Sequence, residues 1–150
     1  MDHATNVWAE LEDFGDGVSG RRLERVRGET LAAAVWELAP GAKGNAYHFH
    51  HGAREWLLVL RGRLSLRTHD GERELSEGDV VAFPRGRDGA HGVTNRSDEP
   101  VRYLVVAYHE SPDVIEYPDD GTVGVFALTT GESGDPFQAF FHAKDAFQRD

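Results

Sequence analysis

His48-Phe49-His50 is the segment of this 150-residue chain with the most chemical content. On an extended strand alternate side chains face the same way, so His48 and His50 project together while Phe49 packs on the other face. Glu55 follows just after a turn, so two imidazoles and one carboxylate can converge on a point. Imidazole is the commonest metal-binding side chain, and a carboxylate adds the negative charge a divalent cation requires. Taken alone the pattern is only suggestive, because an isolated His is more often an ordinary surface or core residue. His51 has the opposite strand parity and is expected to point outward or begin a turn; it is the reserve ligand should the register slip by one. His69 lies in the Asp70-Gly71 turn and reads as solvated. His3, His109 and His142 have no partner at ligand spacing.

The elements that must position these groups are short and β-rich. Glu55–Arg61 and Arg63–Thr68 are strand-length runs separated at Gly62, a residue that relaxes backbone limits in a tight turn. Asp70-Gly71 divides the second run from Glu72–Leu75 and is a strong hairpin signal. Gly78-Asp79 precedes Val80–Phe83, and His91–Asn95 and Val101–His109 complete the series. Many short strands with regularly spaced turns predict an all-β sandwich or barrel. Glu55 places Leu57 and Val59 on its own face, with Trp56, Leu58 and Leu60 opposite. Leu31–Leu38 is Ala-rich but ends at Pro40-Gly41 and reads as a strand, with Trp36 and Leu38 on the face of Ala32 and Ala34. Ser19–Val26 is open to a helix capped by Ser19. Phe137, Phe140, Phe141 and Phe147 suit the apolar stripe of a short C-terminal helix that docks on the body or on a second subunit.

Composition narrows the function classes. Asp and Glu number 26 against 16 Lys and Arg, a formal charge of −10, which argues against nucleic acid or an anionic membrane as partner. Residues 1–20 hold five acids and no Lys or Arg, and residues 110–150 hold nine acids against Lys144 and Arg149. The acidity therefore lies in the flanks, and the expected organisation is an acidic extension (1–20), a β-barrel (21–109) and a C-terminal extension (110–150). There is no Cys, which removes disulfides, thiolate metal sites and Cys nucleophiles. The longest apolar run, Leu31 to Trp36, is too short to span a bilayer, and Asp2 without an early Lys or Arg does not make a signal-peptide start. A cytoplasmic protein is the expectation.

Two other motifs carry little. Gly15-Asp16-Gly17-Val18-Ser19-Gly20 matches a dinucleotide-loop pattern but lacks the strand before it and the βαβ unit after it, so it reads as an acidic loop. No Ser sits in a G-x-S-x-G nucleophile elbow.

The β-rich segment resembles the cupin superfamily. His48, His50, Glu55 and Gly62 are similar to its first motif, with four residues between His50 and Glu55 and six between Glu55 and Gly62. The leading glycine departs from the pattern: Gly44 leaves three residues before His48, too few, and Gly41 leaves six, too many. Gly78, Pro84-Arg85-Gly86, His91 and Asn95 resemble the second motif, except that four residues separate Gly86 from His91, which lengthens a loop near the mouth of the site.

The resemblance covers about Pro40 to His109. It implies a jelly-roll barrel and the metal ligands His48, His50, Glu55 and His91. Three neutral imidazoles and one carboxylate would leave a divalent transition metal (Fe, Mn, Ni, Zn, Cu or Co) with net positive charge and open positions for a small oxygen-rich substrate. From His91 onward, Val93 and Asn95 are expected to face inward, giving a mostly apolar site, while Trp36 and Trp56 are expected in the core or at a subunit interface. The functions the resemblance implies are a metal-dependent dioxygenase, isomerase or lyase, or else a non-catalytic small-molecule-binding or structural cupin; the catalytic residues stay unassigned. A homodimer is expected, with Leu31–Leu38 and the Phe-rich C-terminus as interface elements.

Overall fold

The computed structural model describes residues 6–23, 30–130 and 135–143. Thirteen strands occur among them: β1 (Glu12–Gly15), β2 (Val18–Leu23), β3 (Leu31–Leu38), β4 (Phe49–His50), β5 (Ala53–Arg61), β6 (Arg63–Thr68), β7 (Gly71–Ser76), β8 (Val80–Phe83), β9 (His91–Thr94), β10 (Val101–His109), β11 (Asp113–Tyr117), β12 (Thr122–Thr130) and β13 (Asp135–His142). A single 3₁₀ turn, Arg87–Gly89, occupies the long second-motif loop. The fold is all-β, a jelly-roll barrel. One wall is a six-stranded antiparallel sheet in the order β1-β2-β3-β10-β5-β8. The other consists of a four-stranded sheet, β13-β12-β11-β4, and a three-stranded sheet, β7-β6-β9. These two are stitched together by an isolated bridge, His48 to His91, with backbone bonds of 3.0 and 2.9 Å.

Strand alternation builds the core as expected. Leu57 and Val59 of β5, Leu64 and Leu66 of β6 and Val101 of β10 are almost wholly buried and meet Leu38, Leu75 and Phe83 in one cluster, while Trp56 faces out. Buried Asn95 is fully used: its amide donates to the carbonyls of Leu38 and Glu99, and its oxygen accepts from the backbone and hydroxyl of Ser97. It pins the turn before β10.

Two segments open to a helical reading are strands instead. Val18–Leu23 is extended and pairs with β3, Ser19 opposite Glu37 and Arg21 opposite Val35; residues 24–26 of that expectation lie outside the described residues. Gly15, Asp16 and Gly17, all at positive φ, turn β1 sharply into β2, and Gly20 lies flat against the Trp36 indole. The ladder so formed outweighs a local Ser19 cap. The C-terminal Phe segment is β13, paired along β12, so Phe140 and Phe141 face opposite ways rather than forming a stripe. Phe147 lies outside the described residues.

The sheets run across both expected segment limits. β2 spans residue 20, and β11, beyond residue 109, pairs with β4 through Ile115–His50 and Glu116–Phe49.

Candidate metal centre

The ligand end of the barrel is assembled from both walls. β4 carries His50 and follows His48, the β4–β5 turn leads to Glu55, and β9 begins with His91. His48, His50 and Glu55 each present a ligand atom within 4.8 Å of the others. His91 adds its Nε2 3.3 Å from Glu55 Oε2, and His50 Nε2 lies 3.5 Å from the same oxygen. All three imidazoles are buried; His48, His50 and Glu55 form the close cluster, and His91 meets it at Glu55 and against the His48 ring, 4.6 Å between centroids. His51 does not join them. It is half-exposed and bonds Glu116 through Nε2 at 2.6 Å, as its parity requires.

Each ring is held by its outer nitrogen. His48 Nδ1 donates to the Ala46 carbonyl at 2.7 Å, His91 Nδ1 to the Gly89 carbonyl at 2.9 Å, and His50 Nδ1 to Asp113 Oδ2 at 2.6 Å. Every Nδ1 faces only an acceptor, which assigns the proton there and leaves Nε2 with a bare lone pair. Glu55 Oε2 is buried and has no hydrogen-bond partner. Lone pairs of His50 and His91 thus confront an unpartnered carboxylate oxygen, which is unfavourable unless a cation or protons lie between them. The donor set and its hydrogen-bonded second layer fit a divalent transition metal.

The electrostatics favour neutral rings at His48 and His91 and the protonated ring at His50. Burial, reinforced by the neighbouring imidazoles of His91 and His50, pushes His48 down to about 4, and burial likewise lowers His91. Burial also acts against the charged form of His50, but its bond to Asp113 and the charges of Glu55 and Asp113 outweigh it and raise that group. Asp113 is almost inaccessible. Burial opposes its ionisation, yet the imidazoles of His109 and His50 and the Gly52 N–H hold it well below the usual carboxylate range.

Three residues of the site were not anticipated: Asp113, His109 and Tyr117. Tyr117 stacks on His48 with ring centroids 5.7 Å apart. His109 points its ring toward Asp113, with Nδ1 3.8 Å from Oδ2 and without a hydrogen bond. The signal for His109 was present, because it shares strand parity with Ala107, which pairs with Glu55. Asp113 and Tyr117 follow only from the pairing of β11 on β4.

A cavity of about 500 Å³ opens over His48, His50 and Glu55. Its walls are not Leu57, Val59 and Val93, which belong to the core beneath. One wall comes from β3 and β10, as the small Ala32, Ala34, Val105 and Ala107, and the facing one from β11 and β12, as Ile115, Tyr117 and Phe126. Trp36 also lines the cavity, rather than lying at an interface only.

An antiparallel jelly roll with a His-x-His, Glu and His constellation defines a class, and sequence comparison places the chain within it. The cupin domain family (Cupin_2) matches residues 34–107. A sugar phosphate isomerase of the cupin superfamily from Silicibacter pomeroyi is 31% identical, with a TM-score of 0.73 over 86% of this chain and 78% of that one. A candidate sugar phosphate isomerase from Acidithiobacillus ferrooxidans (23% identical, TM-score 0.65, 81% and 72% covered) has the same fold. So does a Cupin 2 conserved barrel domain protein from Salinispora arenicola (23%, 0.58, 74% and 91%). No curated protein matches the chain significantly. The chain belongs to the cupin superfamily. Among the described residues no helix is long and apolar enough to cross a membrane.

Proposed function

We propose that this cupin is a metal-dependent enzyme acting on a small oxygen-rich metabolite, with isomerisation of a sugar phosphate as the favoured reaction. The observation that carries the reading is the unpartnered Glu55 Oε2 facing imidazole Nε2 atoms at the base of an open cavity. The name of the Silicibacter pomeroyi relative supports the choice of reaction. His48, His50, Glu55 and His91 hold the metal, and a divalent cation there supplies Lewis-acid polarisation of substrate oxygens. Asp113 fixes the ring of His50. Val105, Ala107 and Ala34 give the cavity an apolar wall, and Tyr117 covers His48. His109 lines the cavity beside Asp113 and is the imidazole there to carry a proton between adjacent carbons.

Elemental analysis of protein purified without added metal tests the reading. Near-stoichiometric transition metal is expected; metal-free protein that takes up none on titration overturns it. The metal-loaded protein should then interconvert aldose and ketose phosphates, whereas binding without turnover across sugar phosphates, hydroxy acids and diketones identifies a binding module.

The same reading includes a homodimer formed by the outer face of the six-stranded sheet. Two uncharged rows cross it, Ala33-Val106-Trp56-Ala82 and Leu104-Leu58-Val80, with Trp56 59% and Val80 64% exposed, whereas Val35 at the end of the second row is buried. In a chain of charge −10 these uncharged rows are where a second copy can approach without repulsion. Sedimentation should give a dimer; a monomer at micromolar concentration refutes it.

A further inference from the structure

The cavity has two chemically distinct ends. Glu55 and the imidazoles occupy one. At the other, on β2, stands Arg22, the single Lys or Arg among the described residues that line the cavity. Arg22 pairs with Ala34, Ala34 with Val105 and Val105 with Leu57, so it shares the inward face of the sheet, three strands from β5. At ~4.8 Å per strand its backbone is roughly 14 Å from that of β5, and Arg22 and Glu55 both line the one cavity of about 500 Å³. The floor between them is lined by Ala32, Ala34 and Ala107, which leave the path open.

Arg22 makes no hydrogen bond or ion pair with a described residue, whereas Arg61 and Arg102 share Glu37, Arg67 grips Asp119 with both terminal nitrogens, and Arg96 holds Glu72. A guanidinium is a planar fork matched to the two-oxygen edge of a phosphate or carboxylate. We propose that Arg22 anchors the anionic end of the substrate, so that the cavity selects a short polyhydroxy compound with a terminal oxyanion lying between Arg22 and the Glu55 end. This inference rests on the reading of the cavity as a substrate site.

The test compares binding of a glucose phosphate, gluconate and glucose to metal-loaded wild type, Arg22→Gln and Arg21→Gln, with bound metal measured in each preparation. Arg21 pairs with Val35 on the outer face and controls for net charge. The anionic ligands should bind wild type more tightly than glucose. Arg22→Gln should weaken them by about ten- to hundred-fold, the loss expected for a charge-assisted contact, without changing glucose binding or metal content. Arg21→Gln should change nothing, and the stronger of the two anionic ligands identifies phosphate or carboxylate as the oxyanion. Equal binding of charged and neutral ligands, equal affinities in wild type and Arg22→Gln, or no binding of any of the three overturns the anchor. Metal content reports separately: an anchor lost with metal retained leaves the metal centre standing, and Arg22-dependent binding to metal-free protein sinks the metal reading alone.

Discussion

Along β5 the inward face reads Glu55, Leu57, Val59, and these three side chains meet opposite surroundings within two turns of the strand pleat. Leu57 and Val59 are 1% exposed, packed among Leu38, Leu64, Leu66, Leu75 and Val101. Glu55 lies among buried imidazoles with one oxygen unpartnered. The apolar end gains from every contact it makes. At the ligand end each imidazole is satisfied on its outer side only, and the inner sides gather like lone pairs around one carboxylate. One strand thus carries apolar side chains that stabilise the barrel and, a residue pair away, a buried carboxylate oxygen whose missing partner costs stability.

The sharpest way to break this division is at the ligand end. His48→Ala should abolish metal binding, measured by elemental analysis and calorimetric titration, while the metal-free barrel keeps its melting temperature or gains. Loss of the fold would mean the two ends are not separable. At the other end, Leu57→Ala should cost about 2–5 kcal/mol in urea unfolding through the cavity it leaves, with metal affinity close to wild type. Asp113→Asn tests the link between them. His50 would keep its place in β4 but lose the carboxylate that orients its ring, and metal affinity should fall about 10–100-fold with little change in far-UV circular dichroism. An unchanged affinity would make Asp113 a packing residue.

The smallest effect is on pH. An unfolded imidazole titrates near 6.5, whereas His48 is held at about 4 and His91 is also lowered. On acidification through this window the unfolded chain takes up protons that the fold refuses, so stability is lost as pH falls from 6.5 towards 4. His50 is raised and acts in the opposite sense, contributing below 6.5 and losing that contribution as pH rises through its folded value. Glu55 faces all three. With two groups lowered against one raised, the metal-free protein should melt at a lower temperature near pH 5 than near pH 7, and His48→Gln should flatten the profile. A wild-type profile that is already flat would remove burial as the governing influence on these rings.

Much of the barrel was legible in local signals. Turn glycines and alternating apolar residues mark β5 to β10, and strand parity put Leu57, Val59, Val93 and Asn95 inside and Trp56 outside. Parity and spacing also brought His48, His50 and Glu55 together. The misreadings share one physical origin. Val18–Leu23 and the Phe-rich segment are locally compatible with helix, and their extended form depends on ladders with β3 and β12 that no short window contains. Asp113 reaches His50 across 63 residues, through a pairing of β11 on β4 only two residues long. The cavity walls depend on the register of β10 against β3 and β5, which decides that Ala32, Ala34, Val105 and Ala107, not Leu57 and Val59, line that side of the site.

That two-residue β4 has a consequence for how the protein is made. Synthesis runs from the N-terminus, so His48, His50 and Glu55 leave the ribosome well before Asp113 and the strand that clamps β4. A nascent chain ending near residue 109 has all four candidate ligands but neither the carboxylate that braces His50 nor the tyrosine that stacks on His48. The candidate metal centre is therefore finished by a late, long-range closure: His48 and His91 find their backbone acceptors two residues away, while His50 waits for Asp113.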